Sequence, residues 1–140
     1  MSRGWLIDTN IPNGSSLGPM SGVVRWLDEV DEDRVFLSVI SLAEIRIGVE
    51  RLGLAPGRRR TRLDAWLREE PPVRFERRIV PADAEVADAC GRFVGASAGG
   101  RPRARRDGPL IATTCLARDL ILATRNLADF DGLGIALHAP

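Results

Sequence analysis

The sequence contains no lysine, because all 20 of its basic residues are arginine. A P-loop uses a lysine to bind phosphates, and a Schiff-base enzyme needs a lysine amine, so both classes are excluded. The only histidine is His138, near the last residue given. This scarcity argues against a Ser-His-Asp or Cys-His triad, a histidine-rich zinc site and a histidine general base.

The two cysteines, Cys90 and Cys115, occur in apolar, helix-like segments without the paired spacing of a metal site. We interpret them as buried small hydrophobic residues. The first residues contain no apolar stretch of signal-peptide length, and no window approaches the ~20 residues that span a bilayer. We therefore expect a cytoplasmic protein without membrane association, folded as one domain over residues 1–140.

The net charge of +1 conceals an uneven distribution of arginine. Eight arginines form two groups without an acid between their members: Arg58, Arg59, Arg60 and Arg62, and then Arg101, Arg103, Arg105 and Arg106. Removing these eight from the 20 leaves 12 arginines against 19 acids, a charge of −7. Such asymmetry suggests an anionic partner held beside a cation-binding centre, although charge runs are also typical of solvated surfaces.

Apolar runs alternate with amphipathic segments along the chain. The runs predict buried strands at Trp5–Ile7, Val35–Ile40, Ile79–Val80, Leu120–Ala123 and Ile135–Leu137. The amphipathic segments predict five helices. The first lies around Val23–Val30, the second runs from Ser41 to a stop at Gly53, and the third covers Arg58–Glu70 and ends before Pro71 and Pro72. The fourth runs from a cap at Asp83 through Phe93, and the fifth begins at Asp107. This alternation predicts an α/β domain with a mainly parallel sheet.

Four carboxylates fall at the predicted junctions between strands and helices: Asp8, Glu44, Asp107 and Asp129. Ligands of parallel sheets bind beyond the carboxyl ends of the strands, which places Asp8 at the mouth of a site. Carboxylates brought together repel one another unless a cation neutralises them, and Mg²⁺ or Mn²⁺ suits oxygen ligands. A metal-activated water would then be the nucleophile.

Three of these carboxylates also have a purely structural explanation. Glu44 completes a capping box that begins at Ser41, Asp107 fits a helix N-cap, and Asp129 fits a turn. Asp8 is the hardest to explain structurally, because a charge directly after a buried strand is costly without a partner.

Four blocks of the sequence resemble, in order and spacing, the PIN-domain ribonucleases and more narrowly the VapC toxins of bacterial toxin–antitoxin pairs. They are Leu6–Asn10, Ser38–Gly48, Asp107–Thr114 and Thr124–Phe130. The resemblance covers nearly the whole chain. It implies a three-layer α/β/α PIN domain with magnesium-dependent endoribonuclease activity, a homodimer, and inhibition by a small VapB-like antitoxin.

The resemblance also implies roles for individual residues. Asp8, Glu44 and Asp107 match the acidic residues that bind the metal, while Thr9, Asn10 and Thr113 or Thr114 match polar residues that support the site. The fourth acidic position falls on Asn126 or on Asp129, and either could face the metal. A neutral Asn126 would weaken a second metal site.

Arg103, Arg105 and Arg106 precede Asp107 and place cations beside the predicted acidic site. Because arginine binds phosphate in a bidentate manner, we expect this segment to hold the RNA backbone. A solvated loop is the alternative interpretation.

Two other functions remain open on the sequence alone. Receiver domains and aspartate-based phosphatases also place an aspartate after the first strand, but they normally rely on a lysine. A non-catalytic PIN-like module that binds RNA or protein is the second alternative, because Pro12 and Pro109 depart from the family pattern.

Overall fold

The computed structural model describes residues 3–8, 26–52, 58–96, 108–130 and 132–139. These residues form one five-stranded, fully parallel sheet with the order β3-β2-β1-β4-β5. The strands are β1 (Gly4–Ile7), β2 (Val35–Ser38), β3 (Ile79–Val80), β4 (Leu120–Ala123) and β5 (Leu137–His138). The helices are α1 (Val39–Arg51), α2 (Arg58–Arg74), α3 (Ala84–Ala96) and α4 (Gly108–Arg118), with short 3-10 helices at Glu32–Arg34 and Leu127–Phe130.

The central strand β1 alternates between two hydrophobic clusters. Ile7 packs with Leu37 and with residues of the α1–α2 side, including Phe75. Leu6 faces the opposite cluster, where Ile111 of α4 packs on the sheet. Because each face of the sheet is covered by helices, the predicted three-layer α/β/α architecture with a parallel sheet is confirmed.

A close backbone approach explains the glycine that begins β1. A Cβ atom on Gly4 would lie 2.7 Å from the carbonyl oxygen of Arg34, which is closer than real Cβ atoms come to oxygen. Glycine therefore lets β1 lie tightly against the start of β2.

Helix α2 is longer than the sequence predicts. The prediction ended it before Pro71 and Pro72, but the helix continues to Arg74, and the N–H of Phe75 donates to the carbonyl of Pro71 at 2.9 Å. Two prolines remove two helical hydrogen bonds, but the fixed φ of proline is itself helical. The buried Phe75 ring, 1% exposed, and the Arg74–Glu32 ion pair at 2.6 Å hold this last turn in place.

The remaining elements follow the predictions closely. Asp83 caps α3, since its Oδ1 accepts from the N–H of Val86 at 3.1 Å. Strand β5 is displaced from the predicted Ile135–Leu137 to Leu137–His138, because its pairing with β4 starts at Leu137 opposite Leu122. Of the helix predicted at 23–30, Trp26 and Leu27 are helical and buried, whereas residues 28–30 form a turn and a bend, so the prediction is wrong there. Residues 23–25 lie outside the described residues.

The cysteines differ in burial. Cys115 is 1% exposed, as predicted, whereas Cys90 is only half-buried, so the prediction that both are buried is wrong for Cys90. Helix α3, which carries Cys90, buries only Val86 fully and leaves much of its surface in solvent. Within the described part of the chain, no helix has the length and apolar character needed to cross a membrane.

Candidate active site at the carboxyl end of the sheet

Asp8 directly follows the central strand. Its N–H donates to the carbonyl of Ala123 at 2.9 Å, which continues the pairing of β1 with β4 by one residue. Since Ile7 pairs with both Leu37 and Ala123, the next residues along the two neighbouring strands, Ser38 and Thr124, flank Asp8. Asp8 is 4% exposed, so a carboxylate occupies a buried position at the carboxyl end of the sheet, as predicted.

Thr124 holds the Asp8 carboxylate. Its hydroxyl donates to Oδ2 of Asp8 at 2.9 Å and accepts from the N–H of Asn126 at 3.1 Å. Thr124 is 1% exposed and Asp8 is buried, so the bond between their side chains is shielded from water. Sequence reasoning did not include Thr124 among the site residues. Its position in the sequence could have indicated a role at the site, because a residue directly after β4 lies beside the residue directly after β1 once these strands pair.

The N-cap of α1 lies three residues earlier than predicted. Ser38, not Ser41, is the N-cap, and its side chain accepts from the N–H of Ile40 at 3.0 Å. The predicted strand Val35–Ile40 is accordingly shortened to Val35–Ser38. A capping box needs its acid at the third helical position, which Ser41 occupies, so capping does not explain Glu44.

Ser41 connects α1 to the central strand. It is fully buried, and its hydroxyl donates to the carbonyl of Ile7 at 3.3 Å. Glu44 lies three residues later, so its side chain is a neighbour of Ser41 on the helix surface, and it is half-buried. The structure therefore places Glu44 one helical turn from the residue that contacts the backbone preceding Asp8.

Several predicted site residues lie outside the described residues: Thr9, Asn10, Asp107, Arg103, Arg105 and Arg106. Their roles stay predictions. Helix α4 begins at Gly108, the residue that follows Asp107 in the sequence. Among the residues that the structure does describe, no three acidic, histidine or cysteine side chains form a group able to hold a metal ion.

The two candidates for the fourth acidic position lie in one short segment after β4. The N–H of Asn126 is bonded to the Thr124 hydroxyl, which connects Asn126 to Asp8 through one side chain. Asp129 is part of the 3-10 helix, and its N–H donates to the carbonyl of Asn126 at 3.1 Å. Both are half-buried, and the choice between them stays open.

The two predicted supporting threonines of α4 bond within their own helix. The hydroxyl of Thr113 donates to the carbonyl of Pro109 at 2.8 Å, and that of Thr114 donates to the carbonyl of Leu110 at 2.7 Å. Both side chains are 1% exposed. Each hydroxyl proton is thereby used inside α4 and is not donated to a carboxylate, so the oxygen lone pairs could contact only a cation or a hydrogen-bond donor.

The buried thiol near the site is chemically inert. Burial raises the pKa of Cys115 to about 12, the charge of Arg3 lowers it, and the charge of Asp8 raises it. A thiol with so high a pKa is a poor nucleophile near neutral pH. The described site therefore offers carboxylate and hydroxyl oxygens, a donor set that suits a hard divalent cation.

No protein-family model matches the chain, but individual proteins and solved structures are similar to it. Toxin FitB of Neisseria gonorrhoeae is 34% identical over 137 residues, which cover 96% of each chain. VapC ribonuclease Y4jK of Sinorhizobium fredii is 27% identical over 137 residues and again 96% of each chain. The crystal structure of FitAcB from Neisseria gonorrhoeae superposes with a TM-score of 0.75, 28% identity and 97% coverage of both chains. The chain therefore belongs to the family of PIN-domain, VapC-type toxins.

Proposed function

We propose that this protein is the toxin of a toxin–antitoxin pair and acts as a magnesium-dependent endoribonuclease. The observation that carries the proposal is the buried Asp8 carboxylate, held by Thr124 at the end of the central strand. Helix α1, which bears Glu44, is bonded to that strand by Ser41. A buried carboxylate at this end of a parallel sheet is costly as structure alone but useful for binding a cation.

The relatives support the coarser parts of this proposal. FitB is named a toxin, and Y4jK is named a VapC ribonuclease. Membership of this family supports an antitoxin as the partner, and the family resemblance further implies a homodimer that acts on RNA in the cytoplasm. We include the dimer, the RNA substrate and the cytoplasmic location in the proposal.

The residues fit a hard divalent cation. In the proposal Asp8, Glu44 and Asp107 hold Mg²⁺, with Mn²⁺ as an alternative, because all three supply carboxylate oxygens. A bound Mg²⁺ supplies Lewis-acid catalysis, since it lowers the pKa of water and stabilises the charge that develops on a phosphate.

The chain's other residues orient these ligands and bind the substrate. Thr124 donates its proton to Oδ2 of Asp8, which fixes the orientation of this carboxylate. Asn126 or Asp129 assists from the segment after β4. Arg103, Arg105 and Arg106 bind the RNA phosphates, which makes substrate binding weaker as the salt concentration rises.

The experiment that tests the proposal is the substitution Asp8→Asn. We expect cleavage of an RNA pool in the presence of Mg²⁺ to fall by about a hundredfold or more, because one ligand charge is lost. Asp88→Asn is the matched control, since Asp88 is an exposed carboxylate of α3 paired with Arg92. Circular dichroism of both variants should match the wild type.

Two results would contradict the proposal. Unchanged cleavage by Asp8→Asn would remove the carboxylate from the mechanism. RNA binding by the wild type without any cleavage in Mg²⁺ or Mn²⁺ would favour the alternative, a non-catalytic RNA-binding module.

A further inference from the structure

A shallow apolar depression of about 320 Å³ lies next to the candidate site, between the 3-10 helix and the end of β5. It is lined by Leu127, Ala128, Leu137 and Ala139. The Leu127 side chain is 41% exposed, which is unusual for a leucine packed at the end of a buried sheet. The depression therefore exposes apolar surface to solvent at the carboxyl end of the sheet.

Thr124 is bonded to residues that adjoin the walls of this depression, since His138 lies between Leu137 and Ala139, and Asn126 precedes Leu127. The N–H of Thr124 donates to the carbonyl of His138 at 2.9 Å, which fixes the chain just before Ala139. The hydroxyl of Thr124 accepts from the N–H of Asn126, which fixes the chain just before Leu127. Since the same hydroxyl donates to Asp8, Thr124 connects the central carboxylate to residues that adjoin the depression.

Arg125 adds a cation to this arrangement. It lies between Thr124 and Asn126, in a turn closed by the bond between them, and its side chain is exposed. Most described arginines pair with carboxylates or carbonyls, for example Arg46 with Asp64 and Arg74 with Glu32. Within the described ranges, no carboxylate lies in ion-pair distance of Arg125.

We propose that Arg125 and the depression form a subsite for one nucleotide of a single-stranded RNA, next to the bond that is cut. Arg125 binds the phosphate and the apolar walls cover one face of the base. Single-stranded RNA exposes both groups together, whereas paired bases hide their faces. The inference rests on the proposed ribonuclease function and adds a substrate-binding element to it.

The first test combines Leu127→Ser with abasic substrates. The cut positions are found by sequencing the products of a randomised oligoribonucleotide pool, and one cut oligonucleotide is then made with single abasic nucleotides. We expect one abasic position beside the cut to raise the wild-type KM about tenfold with little change in kcat. Leu127→Ser should have a KM about tenfold higher than the wild type for the intact oligonucleotide. In this variant, the abasic nucleotide beside the cut should not raise the KM further.

Val73→Ser is the matched control, because Val73 is 79% exposed on α2 and lies away from the carboxyl end of the sheet. It should respond to the abasic series as the wild type does. The subsite is overturned if Leu127→Ser has the wild-type KM and the wild-type response at every abasic position. It is also overturned if Leu127→Ser alone changes the oligomeric state in light scattering, since a second copy of the chain would then cover the depression.

The second test compares Arg125→Ala with Arg77→Ala. Arg77 is also exposed, but it precedes β3 and so lies at the opposite end of the sheet. We expect Arg125→Ala to weaken binding of all single-stranded sequences about tenfold and to reduce the slope of log K against log salt by about 0.7. Equal effects of the two substitutions would contradict a phosphate contact at Arg125.

The two proposals fail in distinguishable ways. If the wild type cuts no RNA, the proposed function fails. The subsite is then measured directly by fluorescence anisotropy of the abasic series in EDTA, where the wild type and Leu127→Ser should still differ. If the wild type cuts RNA but the variants behave as their controls, only the subsite fails.

Discussion

At the scale of single residues, Thr124 contributes more to the candidate site than its small size indicates. One hydroxyl serves as the donor to the carboxylate directly after β1 and as the acceptor for the turn after β4. Because Asp8 is buried and Asn126 is half-buried, removing the hydroxyl leaves a buried acceptor and a half-buried donor without this bond.

We therefore expect Thr124→Val, which keeps the shape, to lower the free energy of unfolding by about 1–3 kcal/mol. It should also weaken Mg²⁺ binding about tenfold, as loss of a group that orients a metal ligand does. Urea unfolding measures the first effect and Mg²⁺-dependent thermal shifts the second. Thr124→Ser, which retains the hydroxyl, should restore both, whereas wild-type stability and Mg²⁺ binding in Thr124→Val would show that the hydroxyl bonds contribute nothing.

The second residue-scale prediction concerns thiol reactivity. Because burial raises the pKa of Cys115 to about 12, a thiol reagent at pH 8 should modify only the half-buried Cys90 in the native protein and both thiols in urea. Cys90→Ser should abolish the native reaction. Rapid native modification of that variant would show that Cys115 is accessible.

The same pKa shift affects stability at alkaline pH. The folded pKa lies above the ordinary value of 9.0, so the unfolded chain loses the Cys115 proton first. The contribution of Cys115 to the free energy of unfolding is therefore complete below about pH 9 and falls as the pH rises towards 12.

At the scale of elements, the start of α1 decides how Glu44 is interpreted. Ser38 and Ser41 are both plausible caps in the sequence, and only the pairing of β2 with its neighbours distinguishes them. Leu37 and Ser38 pair with β3, so the chain leaves the sheet at Ser38. Glu44 then lies in the second turn of the helix, where a carboxylate has no capping role.

We expect Ser38→Ala to lower the free energy of unfolding by about 1 kcal/mol, and Ser38→Gly by only a few tenths. This difference between alanine and glycine is characteristic of an N-cap and is measured by urea unfolding. Ser41 lies inside the helix, so Ser41→Gly should lower the free energy of unfolding by about 1 kcal/mol more than Ser41→Ala does. The reverse pattern at the two serines would return the cap to Ser41.

Much of the element order could be predicted from the sequence, because apolar runs and helical spacing depend on local residues. The errors occurred where distant contacts decide. Pro71 and Pro72 predicted a helix end, but Phe75 in the core and the Arg74–Glu32 pair extend the helix past them. Thr124 was missed because its role depends on pairing with β1, whereas Asp8 was found because a charge after an apolar run is visible locally.

At the scale of the whole molecule, a cation that binds only the folded protein must stabilise it. At Mg²⁺ concentrations about a hundred times the dissociation constant, binding raises the free energy of unfolding by about 2.7 kcal/mol. For a domain of this size this corresponds to a rise of roughly 5–10 °C in Tm. Scanning calorimetry should show this rise in the wild type and in Asp88→Asn and none in Asp8→Asn. A rise of equal size in Asp8→Asn would place the cation elsewhere.

The order of the strands also determines when the candidate site can form during synthesis. Asp8 and the Thr124 hydroxyl that holds it are separated by 116 residues, and β1 pairs with β4 along its whole length. A nascent chain that has left the ribosome through α3 already contains Asp8 and Glu44, but it lacks the strand that completes the centre of the sheet. Asp8 therefore gains the hydrogen bond that fixes its carboxylate only after β4 has emerged, through a contact between distant parts of the chain.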